Sequence, residues 1–334
     1  SWCERDNWDD IERDLGGFVH AIFEYPEGTK YPGLPVAVKA AILHPLEGET
    51  YCTFSEILYA MEMGAECKLL EAWGYRHGTA ILSDYLAWTL ERRKESTGPA
   101  EYMFKLLGNS IIGKLAQGLR KIPLQEYVDF SRKMGVPLDE LFGCHIEELR
   151  AMGLKDVVSV GSIFMPEWNG LICGFVRRVI AEMLDTGQGV YCHTDSVWCA
   201  KKPTCHALQM EKRISGPVTT IRRGLACIGD VERQTEHLAR HSIWDRETAR
   251  KILSKFDGQD LTTEYEKSRP LKFREAARLK KPVGTWVTQT RTASTTWDNR
   301  RYLLQDGNTR PWKDVYEYLD YINNPPGQTL FAFH

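Results

Sequence analysis

The sequence predicts an α+β protein, and two kinds of pattern predict it. Short segments in which apolar and polar side chains alternate, as at residues 18–25, are typical of half-exposed β-strands. Longer segments with helical patterning, as at residues 79–94, are typical of α-helices. The 334 residues, of which 43% are hydrophobic and 26% charged, fit a globular protein with about two domains' worth of chain.

Turn-forming and capping residues set the boundaries of the predicted elements. Pro and Gly residues at 26–35 predict a loop, and Ser55 is a good N-cap for a helix that Gly64 ends. Residues 97–99, Thr-Gly-Pro, separate two helices that we expect to form an antiparallel hairpin. In chain order, the predicted elements are strands at 18–25 and 36–43, a hairpin connection at 46–49, a helix at 55–63, a strand at 67–73, helices at 79–94 and 100–119, a mixed helical insertion at 120–155, a helix at 169–184, a strand–turn–strand at 190–200, strands around 218–228 and a helix near 245–254.

The charges are distributed unevenly along the chain. Residues 1–66 contain four basic and thirteen acidic side chains, a net charge of −9. Residues 267–301 contain ten basic and two acidic side chains, a net charge of +8, interleaved with Phe273, Trp286 and Trp297. Concentrated positive charge in a slightly acidic chain favours contact with the phosphates of a nucleic acid. A solvated surface is the alternative interpretation of such a run of charges.

Composition excludes several classes of protein. No run of apolar residues approaches the length of a transmembrane helix, and the first residues lack the basic and apolar regions of a signal peptide. The absence of an initiator Met is expected of a processed product or a piece of a longer protein. Nine Cys without a Cys-x-x-Cys pair favour a reduced, cytoplasmic location, in the host cell if the protein is viral. The spacings of Cys192, Cys199, Cys205 and His206 differ from those of the usual zinc ligands, which disfavours a zinc site.

Residues 105–113, Lys-Leu-Leu-Gly-Asn-Ser-Ile-Ile-Gly, contain the first motif with chemical meaning. Lys105 is followed by Asn109, Ile112 and Gly113 at four, seven and eight residues, so on a helix these residues share one face. A lysine and a small polar group on one face, with a glycine that allows close approach, suit a bound triphosphate and a base pair. Taken alone, the same residues are also typical of a solvated helix.

Residues 191–197, Tyr-Cys-His-Thr-Asp-Ser-Val, contain the second motif. A short polar turn lies between the apolar residues Val190 and Val197, so Asp195 is expected at the tip of a hairpin between buried strands. A carboxylate placed there suits a hard cation such as Mg²⁺. Taken alone, a hydrophilic turn is the simpler interpretation.

Together, in this order and about 80 residues apart, the two motifs resemble motifs B and C of the family B DNA polymerases. Motif B of that family reads Lys-x-x-x-Asn-Ser-x-Tyr-Gly, and motif C reads Tyr-x-Asp-Thr-Asp-Ser. The layout is most similar to the phage and plasmid branch that includes protein-primed enzymes. The matched positions are Lys105, Asn109, Ser110, Gly113, Tyr191, Thr194, Asp195 and Ser196.

The resemblance extends from roughly residue 18 to the C-terminus. Residues 169–177 resemble the palm helix with the pattern Thr-x-x-Gly-Arg, with Cys173 and Val176 in place of Thr and Gly and with Arg177 retained. The resemblance implies a right-hand polymerase architecture with an antiparallel palm sheet, helical-hairpin fingers and a C-terminal thumb. The implied domains are palm at 1–77, fingers at 78–119, an insertion or linker subdomain at 120–165, palm with motif C at 166–215, and the thumb and C-terminal region at 216–334.

The resemblance also implies roles for individual residues. Asp195 would be the catalytic metal ligand in two-metal nucleotidyl transfer with Mg²⁺. Lys105 and Arg93, the latter with Arg92 and Lys94 as rivals, would contact the triphosphate of the nucleotide, and Asn109 and Gly113 would line the base-pair pocket. The residues that would contact nucleic acid are Arg177, Lys267, Lys272, Arg274, Lys280, Lys281 and Arg291.

Three departures from the family pattern bear on catalysis. Motif A, Asp-x-x-Ser-x-Tyr-Pro, is absent, and so is a preceding exonuclease domain; Asp156 follows motif B and lacks the Tyr-Pro, so it is no substitute. His193 replaces the first Asp of motif C, and Ile112 replaces the Tyr of motif B. Because one carboxylate does not hold two Mg²⁺ ions, we expect the chain alone to be inactive.

The sequence therefore predicts a fragment or subunit of a template-directed family B-like DNA polymerase. Its expected partners are primer–template DNA, deoxynucleoside triphosphates, an N-terminal polymerase portion that carries motif A, and a terminal protein, with no membrane. The alternative, favoured by His193 and Ile112, is a catalytically degenerate protein of the same fold that binds nucleic acid or a replication partner. The mode of priming and the choice between deoxyribonucleotides and ribonucleotides stay open.

Overall fold

The computed structural model describes part of the chain. The described residues are 2–38, 41–78, 80, 82–123, 125, 128–129, 132–133, 156–160, 163–193, 196–204, 214–222, 224–230, 237–239, 246–256, 261–271, 273–282, 285–297, 299–305 and 308–324.

These residues form helices and antiparallel strands, which confirms the predicted α+β class. The helices are α1 (Trp8–Arg13), α2 (Phe54–Glu62), α3 (Ser83–Glu95), α4 (Pro99–Leu115), α5 (Pro166–Gly187), α6 (Arg246–Lys255), α7 (Phe273–Arg278) and α8 (Val315–Asn323). The strands are β1 (Cys3–Glu4), β2 (Gly16–Glu24), β3 (Val36–Val38), β4 (Ala41–Leu43), β5 (Glu47–Thr53), β6 (Glu66–Tyr75), β7 (Gly118–Pro123), β8 (Asp156–Val160), β9 (Gly189–His193), β10 (Ser196–Cys199), β11 (Val218–Arg222), β12 (Leu225–Ile228), β13 (His237–Ala239), β14 (Thr262–Pro270), β15 (Trp286–Ser294), β16 (Tyr302–Leu303) and β17 (Thr309–Arg310). The chain divides into a first unit, Ser1–Tyr75 with Gly174–His334, and a second unit, Arg76–Cys173.

A four-stranded antiparallel sheet in the order β1-β6-β2-β5 supports the main core of the first unit. On β2, Val19, Ala21 and Phe23 are almost fully buried while their neighbours are more exposed, which confirms the strand predicted at 18–25. Because successive side chains of a strand point to opposite faces, this alternation turns one face of the sheet toward the core that it shares with α2.

Two predictions next to this sheet are wrong. Residues 46–49 are not a hairpin connection, because Glu47 begins β5 and pairs with Glu24. Glu47, Gly48 and Glu49 lie on an end of β5 that is not fully buried, so polar residues at that end do not interrupt the strand. The single strand predicted at 36–43 is instead the pair β3 and β4, in which Val38 lies opposite Ala41.

The N-cap of helix α2 lies two residues before the predicted one. Thr53, not Ser55, is the N-cap, and the Glu56 carboxylate accepts hydrogen bonds from the Thr53 backbone N–H (2.9 Å) and hydroxyl (2.8 Å). Gly64, with a φ of +88°, follows the helix end as predicted, in the left-handed conformation that glycine adopts without strain.

The C-terminal part of the described chain packs against the same core. Trp312 is 1% exposed and belongs to the cluster that contains Val19 and Phe23. Its indole N–H donates to the carbonyl of Asn299 (3.0 Å), and its carbonyl accepts from the backbone N–H of Leu46 (3.0 Å). The rings around Trp312 are those of Tyr302, Tyr318 and Tyr321, with centroids 5.1–5.5 Å away.

The second core cluster of the first unit lies around α6. Ala249, Ile252 and Leu253 of this helix pack with residues of β11 and β12 and with Tyr265 and Ala293 of the pair β14–β15. The predicted strands around 218–228 and the predicted helix near 245–254 are thereby confirmed.

In the second unit, α3 and α4 form the predicted antiparallel hairpin. Tyr85, early in α3, donates from its hydroxyl to the Leu107 carbonyl (3.0 Å), and Arg93, late in α3, lies 3.8 Å from Glu101. Helix α4 ends at Leu115 rather than at 119, since Gly118 begins β7. β7 pairs with β8, with Pro123 opposite Asp156; most of the predicted insertion at 120–155 lies outside the described residues.

No helix in the described part of the chain has the length and apolarity needed to span a membrane.

A loop between β2 and β3 is held by buried polar groups. The Tyr25 hydroxyl accepts from the backbone N–H groups of Gly33 (3.0 Å) and Leu34 (3.3 Å), and burial raises the pKa of Tyr25. His44 Nδ1 lies 3.0 Å from the Gly33 carbonyl, which identifies Nδ1 as the donor. Burial of the imidazole lowers the pKa of His44 below its ordinary value of 6.5.

We expect this histidine to make the protein less stable in acid. Well above pH 6.5 His44 is neutral in both states. As the pH falls through 6.5 the unfolded chain binds a proton that the folded chain takes up only at lower pH, so the free energy of unfolding decreases. Urea midpoints measured from pH 7.5 to 5 should fall less steeply for His44→Gln than for the parent. His77→Gln, at an exposed position, is the control; an equal slope for His44→Gln and the parent contradicts the prediction.

Candidate functional site

The hairpin formed by β9 and β10 carries the motif at 191–197. His193 lies opposite Ser196 in the strand pairing, as the predicted strand–turn–strand requires. Thr194 and Asp195, which connect the two strands in the sequence, lie outside the described residues. The predicted geometry of the Asp195 carboxylate, including its approach to Lys105, therefore stays a prediction.

Two tyrosine hydroxyl groups join the hairpin to other parts of the first unit. The Tyr31 hydroxyl donates to the carbonyl of Gly189 (2.6 Å), the first residue of β9. The Tyr191 hydroxyl accepts from the backbone N–H of Gly224 (2.8 Å), and the Tyr191 ring packs against Trp198 with centroids 4.7 Å apart. These contacts help to position the strands that lead to residues 194 and 195.

The predicted Mg²⁺ site stays a prediction, because Asp195, its predicted ligand, lies outside the described residues. No group of three His, Cys, Asp or Glu side chains within the described ranges could hold a metal. The same finding gives no support to the disfavoured zinc site, of which Cys205 and His206 lie outside the described residues.

Helix α5 precedes this hairpin and is joined to α2 by an ion pair. Arg177 Nε and Nη2 donate to the two carboxylate oxygens of Glu56, at 2.6 and 3.2 Å, and the Glu56 side chain is 1% exposed. The helices are close here because Gly174 has no side chain: a Cβ on this residue would lie 2.4 Å from Thr53 Oγ1 and 2.6 Å from Glu56 Oε2. Arg177 thus has a structural partner, and its predicted contact with nucleic acid stays a prediction.

The predicted nucleotide-binding face of α4 is exposed. Lys105, Asn109 and Gly113 are exposed, and no atom lies within 4 Å of a Cβ built on Gly113. Ile112, at the position of the family Tyr, is 37% exposed, and its carbonyl accepts from the Asn169 side chain (3.0 Å). Arg93 is half-buried on α3. The helical spacing thus places Lys105, Asn109 and Gly113 where a ligand can reach them.

The basic segment 267–301 has two structural parts. In the first, β14 and β15 pair over their whole lengths and α7 lies between them in the sequence; the predicted contacts Lys280, Lys281 and Arg291 are exposed there. Lys267 lies on β14 and Arg274 on α7, but their side chains are outside the described features, and Lys272 lies outside the described residues.

The second part of this segment is used for packing. The Arg300 guanidinium donates to the Ile42 carbonyl (2.8 Å), and Arg301 donates to the Lys30 carbonyl (3.0 Å). Burial lowers the pKa of Arg301. Trp297 is half-buried and donates its indole N–H to the Arg301 carbonyl (2.9 Å), so these residues do not extend the exposed basic surface.

Sequence reasoning missed Glu56 and Tyr31, which position α5 and β9. Glu56 occupies the third helical position after Thr53, and this capping-box spacing was visible in the sequence. Nothing local indicated that the same carboxylate would pair with an arginine 121 positions later. Tyr31 lies in a Pro- and Gly-containing loop whose pattern gives no partner for its hydroxyl.

Comparisons with known proteins agree with this fold. No protein-family model matches the chain. The primer-independent DNA polymerase PolB of Escherichia coli is 29% identical over 192 residues, which are 54% of this chain and 20% of that polymerase. The solved ternary complex of Phi29 DNA polymerase with primer-template DNA and incoming nucleotide substrates is similar over 88% of this chain and 53% of that chain, with 12% identity and a TM-score of 0.53.

The chain thus spans a fifth of the length of this curated relative and about half of the solved polymerase. The structural comparison shows a similar fold. The sequence comparison, made independently, also finds a DNA polymerase. The mixture of helices and antiparallel sheets described above is similar to the fold of a family B DNA polymerase.

Proposed function

We infer that the chain is part of a template-directed DNA polymerase that transfers deoxynucleotides to a primer 3′-hydroxyl. The observation that carries this proposal is the succession of an exposed Lys105-x-x-x-Asn109 helix face and the β9–β10 hairpin in a chain with this fold. The right-hand architecture, with palm at 1–77 and 166–215, fingers at 78–119 and thumb from 216, is part of the same proposal.

The side chains of α3 and α4 would bind the nucleotide. Lys105 and Arg93 would stabilise charge on the triphosphate, since cationic donors are strongest where phosphate charge is concentrated. Asn109 and Gly113 would line the pocket of the new base pair; the exposure of Lys105, Asn109 and Gly113 supports these roles. Ile112 offers neither the hydroxyl nor the ring of the family Tyr.

Primer–template DNA would be held through its phosphates. Lys280, Lys281 and Arg291 are exposed on the basic segment, which supports this role. Lys267, Lys272 and Arg274 would add to the same surface. Arg177 would contact the DNA with the edge of its guanidinium that Glu56 leaves free, and its 32% exposed side chain supports this contact.

Asp195 would hold Mg²⁺ together with a carboxylate that this sequence does not contain. When bound, the two ions would activate the primer hydroxyl and neutralise the leaving pyrophosphate. We propose on this ground that the chain alone binds DNA without extending it, and that a polymerase portion with motif A restores synthesis. A terminal protein is a further proposed partner.

The second candidate is a protein of this fold that has lost catalysis and binds nucleic acid or a replication partner. The observations that favour it are His193 and Ile112 at two motif positions. The two candidates differ in whether adding a polypeptide that carries motif A restores DNA synthesis.

DNA binding by the full chain is the first expected result. The affinity for a labelled primer–template, measured by fluorescence anisotropy between 50 and 200 mM salt, should fall steeply, because each neutralised phosphate contributes about 0.9 to the slope of log K against log salt. Arg291→Gln should lower that slope by about one, whereas Arg13→Gln, an exposed arginine in the acidic region, should leave it unchanged.

Primer extension separates the remaining parts of the proposal. The isolated chain with Mg²⁺ should give no extension. The polymerase candidate is supported if a polypeptide that carries motif A restores extension and if Asp195→Ala abolishes it. DNA binding without extension in either mixture favours the degenerate protein. Absence of DNA binding by the parent overturns the polymerase and leaves, of the second candidate, only the binding of a replication partner. Robust extension by the chain alone overturns its proposed inactivity.

A further inference from the structure

Trp286 is the most exposed tryptophan in the described part of the chain. It is 69% exposed, whereas Trp297, in the same basic segment, is half-buried and hydrogen-bonded to Arg301. An aromatic side chain of this size exposes a large apolar area, which packing within the first unit does not use.

The backbone around Trp286 is fixed. Trp286 lies opposite Pro270 at the last pair of the β14–β15 ribbon, and the Leu271 N–H donates to the Thr285 carbonyl (2.8 Å) one step beyond it. The Thr285 N–H donates to the Pro282 carbonyl (3.2 Å), and its hydroxyl donates to the same carbonyl (2.7 Å). This turn has Trp286 directly after it in the chain, and Lys281 directly before it.

The end of α7 supplies a second lysine in an unusual conformation. Lys280 has a φ of +51°, and the N–H groups of Lys280 and Lys281 donate to the carbonyls of Ala277 (3.2 Å) and Ala276 (2.9 Å). This is the Schellman arrangement, in which glycine usually occupies the left-handed position because a Cβ is strained there. A lysine at such a position points to a role for its side chain, since the fold alone would favour glycine.

Charge along the ribbon distinguishes its two ends. Glu264 and Glu266 lie in the same row of side chains as Trp286, but toward the opposite end of β14. The pair next to Trp286 in that row is Ser268 with Thr288, whose hydroxyl oxygens are 3.0 Å apart. The acidic end of the ribbon therefore repels an anionic ligand. The end with Trp286 carries the hydroxyl groups of Ser268 and Thr288, and the exposed Lys280 and Lys281 precede Trp286 by six and five residues.

We propose that Trp286, Lys280 and Lys281 form a site for single-stranded nucleic acid, in which an unpaired base stacks on the Trp286 indole and the two lysines hold the adjacent phosphates. Stacking on an exposed aromatic ring needs an unpaired base, because the faces of paired bases are covered by their neighbours. The proposal rests on the nucleic-acid binding proposed above and adds a strand preference to it. A protein partner is disfavoured, since two exposed lysines so close to Trp286 in the sequence suit phosphates, whereas the core of a protein interface is depleted of charged residues.

The first test compares binding of a single strand with binding of a duplex that has no free ends. Full-length parent protein and Trp286→Ala are titrated with fluorescein-labelled (dT)20 and with a closed dumbbell duplex at the same salt concentration. We expect Trp286→Ala to weaken (dT)20 binding about tenfold, within the range that loss of one stacked base produces, and to change dumbbell binding less than twofold. Trp286→Phe should retain part of the affinity. Tyr316→Ala, at a tyrosine that is 80% exposed elsewhere in the unit, is the matched control.

The second test separates the proposed role of Lys280 in binding from its effect on the stability of the protein. Lys280→Gly should leave the unfolding midpoint unchanged or higher, because glycine relieves the positive φ, yet should weaken (dT)20 binding. A parent that binds neither oligonucleotide refutes the proposed function itself. If the parent binds (dT)20 and Trp286→Ala or Lys280→Gly binds it equally well, or if Trp286→Ala weakens both oligonucleotides equally, the single-strand site is refuted while general DNA binding stands.

Discussion

Replacing Arg177 with methionine should lower the free energy of unfolding by about 3–5 kcal/mol, because it leaves a buried carboxylate without its charged partner. Glu56 is 1% exposed and would keep only the neutral Thr53 donors. The lost hydrogen bonds join α2 to α5. Gly174, the neighbouring α5 residue that contacts α2, has no side chain that could replace them. Urea-induced unfolding of the full chain measures the effect.

A double variant identifies the cause. Adding Glu56→Gln to Arg177→Met removes the unpaired charge and should restore part of the lost free energy of unfolding. Arg178→Met is the control. It removes a one-turn helix pair with Glu182 that is worth about 1 kcal/mol or less and a contact with the Tyr59 ring (5.3 Å to the centroid), but it leaves no fully buried charge unpaired. Equal losses for the two arginines would contradict the assignment.

Replacing Trp312 with alanine should cost about 3–5 kcal/mol, as for other large buried aromatic side chains. The indole is 1% exposed, and it joins the C-terminal segment to the sheet that contains Val19 and Phe23. Its removal also leaves the Asn299 carbonyl without the indole N–H. The unfolding midpoint in urea should fall strongly, with a smaller fall for Trp312→Phe.

The control for this variant lies on the neighbouring helix. Tyr316 on α8 is 80% exposed, so Tyr316→Ala should change the free energy of unfolding by no more than about 0.5 kcal/mol. If Trp312→Ala unfolds at the parent's midpoint, the C-terminal segment does not contribute to the core of the sheet.

Elements whose signals are local were predictable from the sequence. The alternation at Val19, Ala21 and Phe23 predicted the buried face of β2, and Gly64 predicted the left-handed residue after α2. The hairpin of α3 and α4 follows from two helical segments separated by Gly98 and Pro99. In each case the residues that determine the structure are within a few positions of one another.

Features that depend on distant partners were not predictable. β5 begins with Glu47, Gly48 and Glu49, which resemble a turn, and only pairing with β2 makes them a strand. Arg301 is one of ten basic residues in its segment, but tertiary contacts bury it against the Lys30 carbonyl. Charge patterns therefore indicated a basic region without distinguishing its packed residues from its exposed ones.

The candidate site divides in the same way. The exposure of Lys105 and Asn109 follows from helical periodicity, which the sequence contains. The strands on either side of Asp195 were predicted from Val190 and Val197, but the anchoring of β9 by Tyr31 depends on a contact between residues 158 positions apart.

The ladder of β7 and β8 has a consequence for changes in chain length. Because Pro123 lies opposite Asp156, the chain leaves and re-enters the fold at neighbouring points. A change in the number of residues between these two positions would therefore not by itself alter the register of β7 with β8, since the register is set by the pairs on either side.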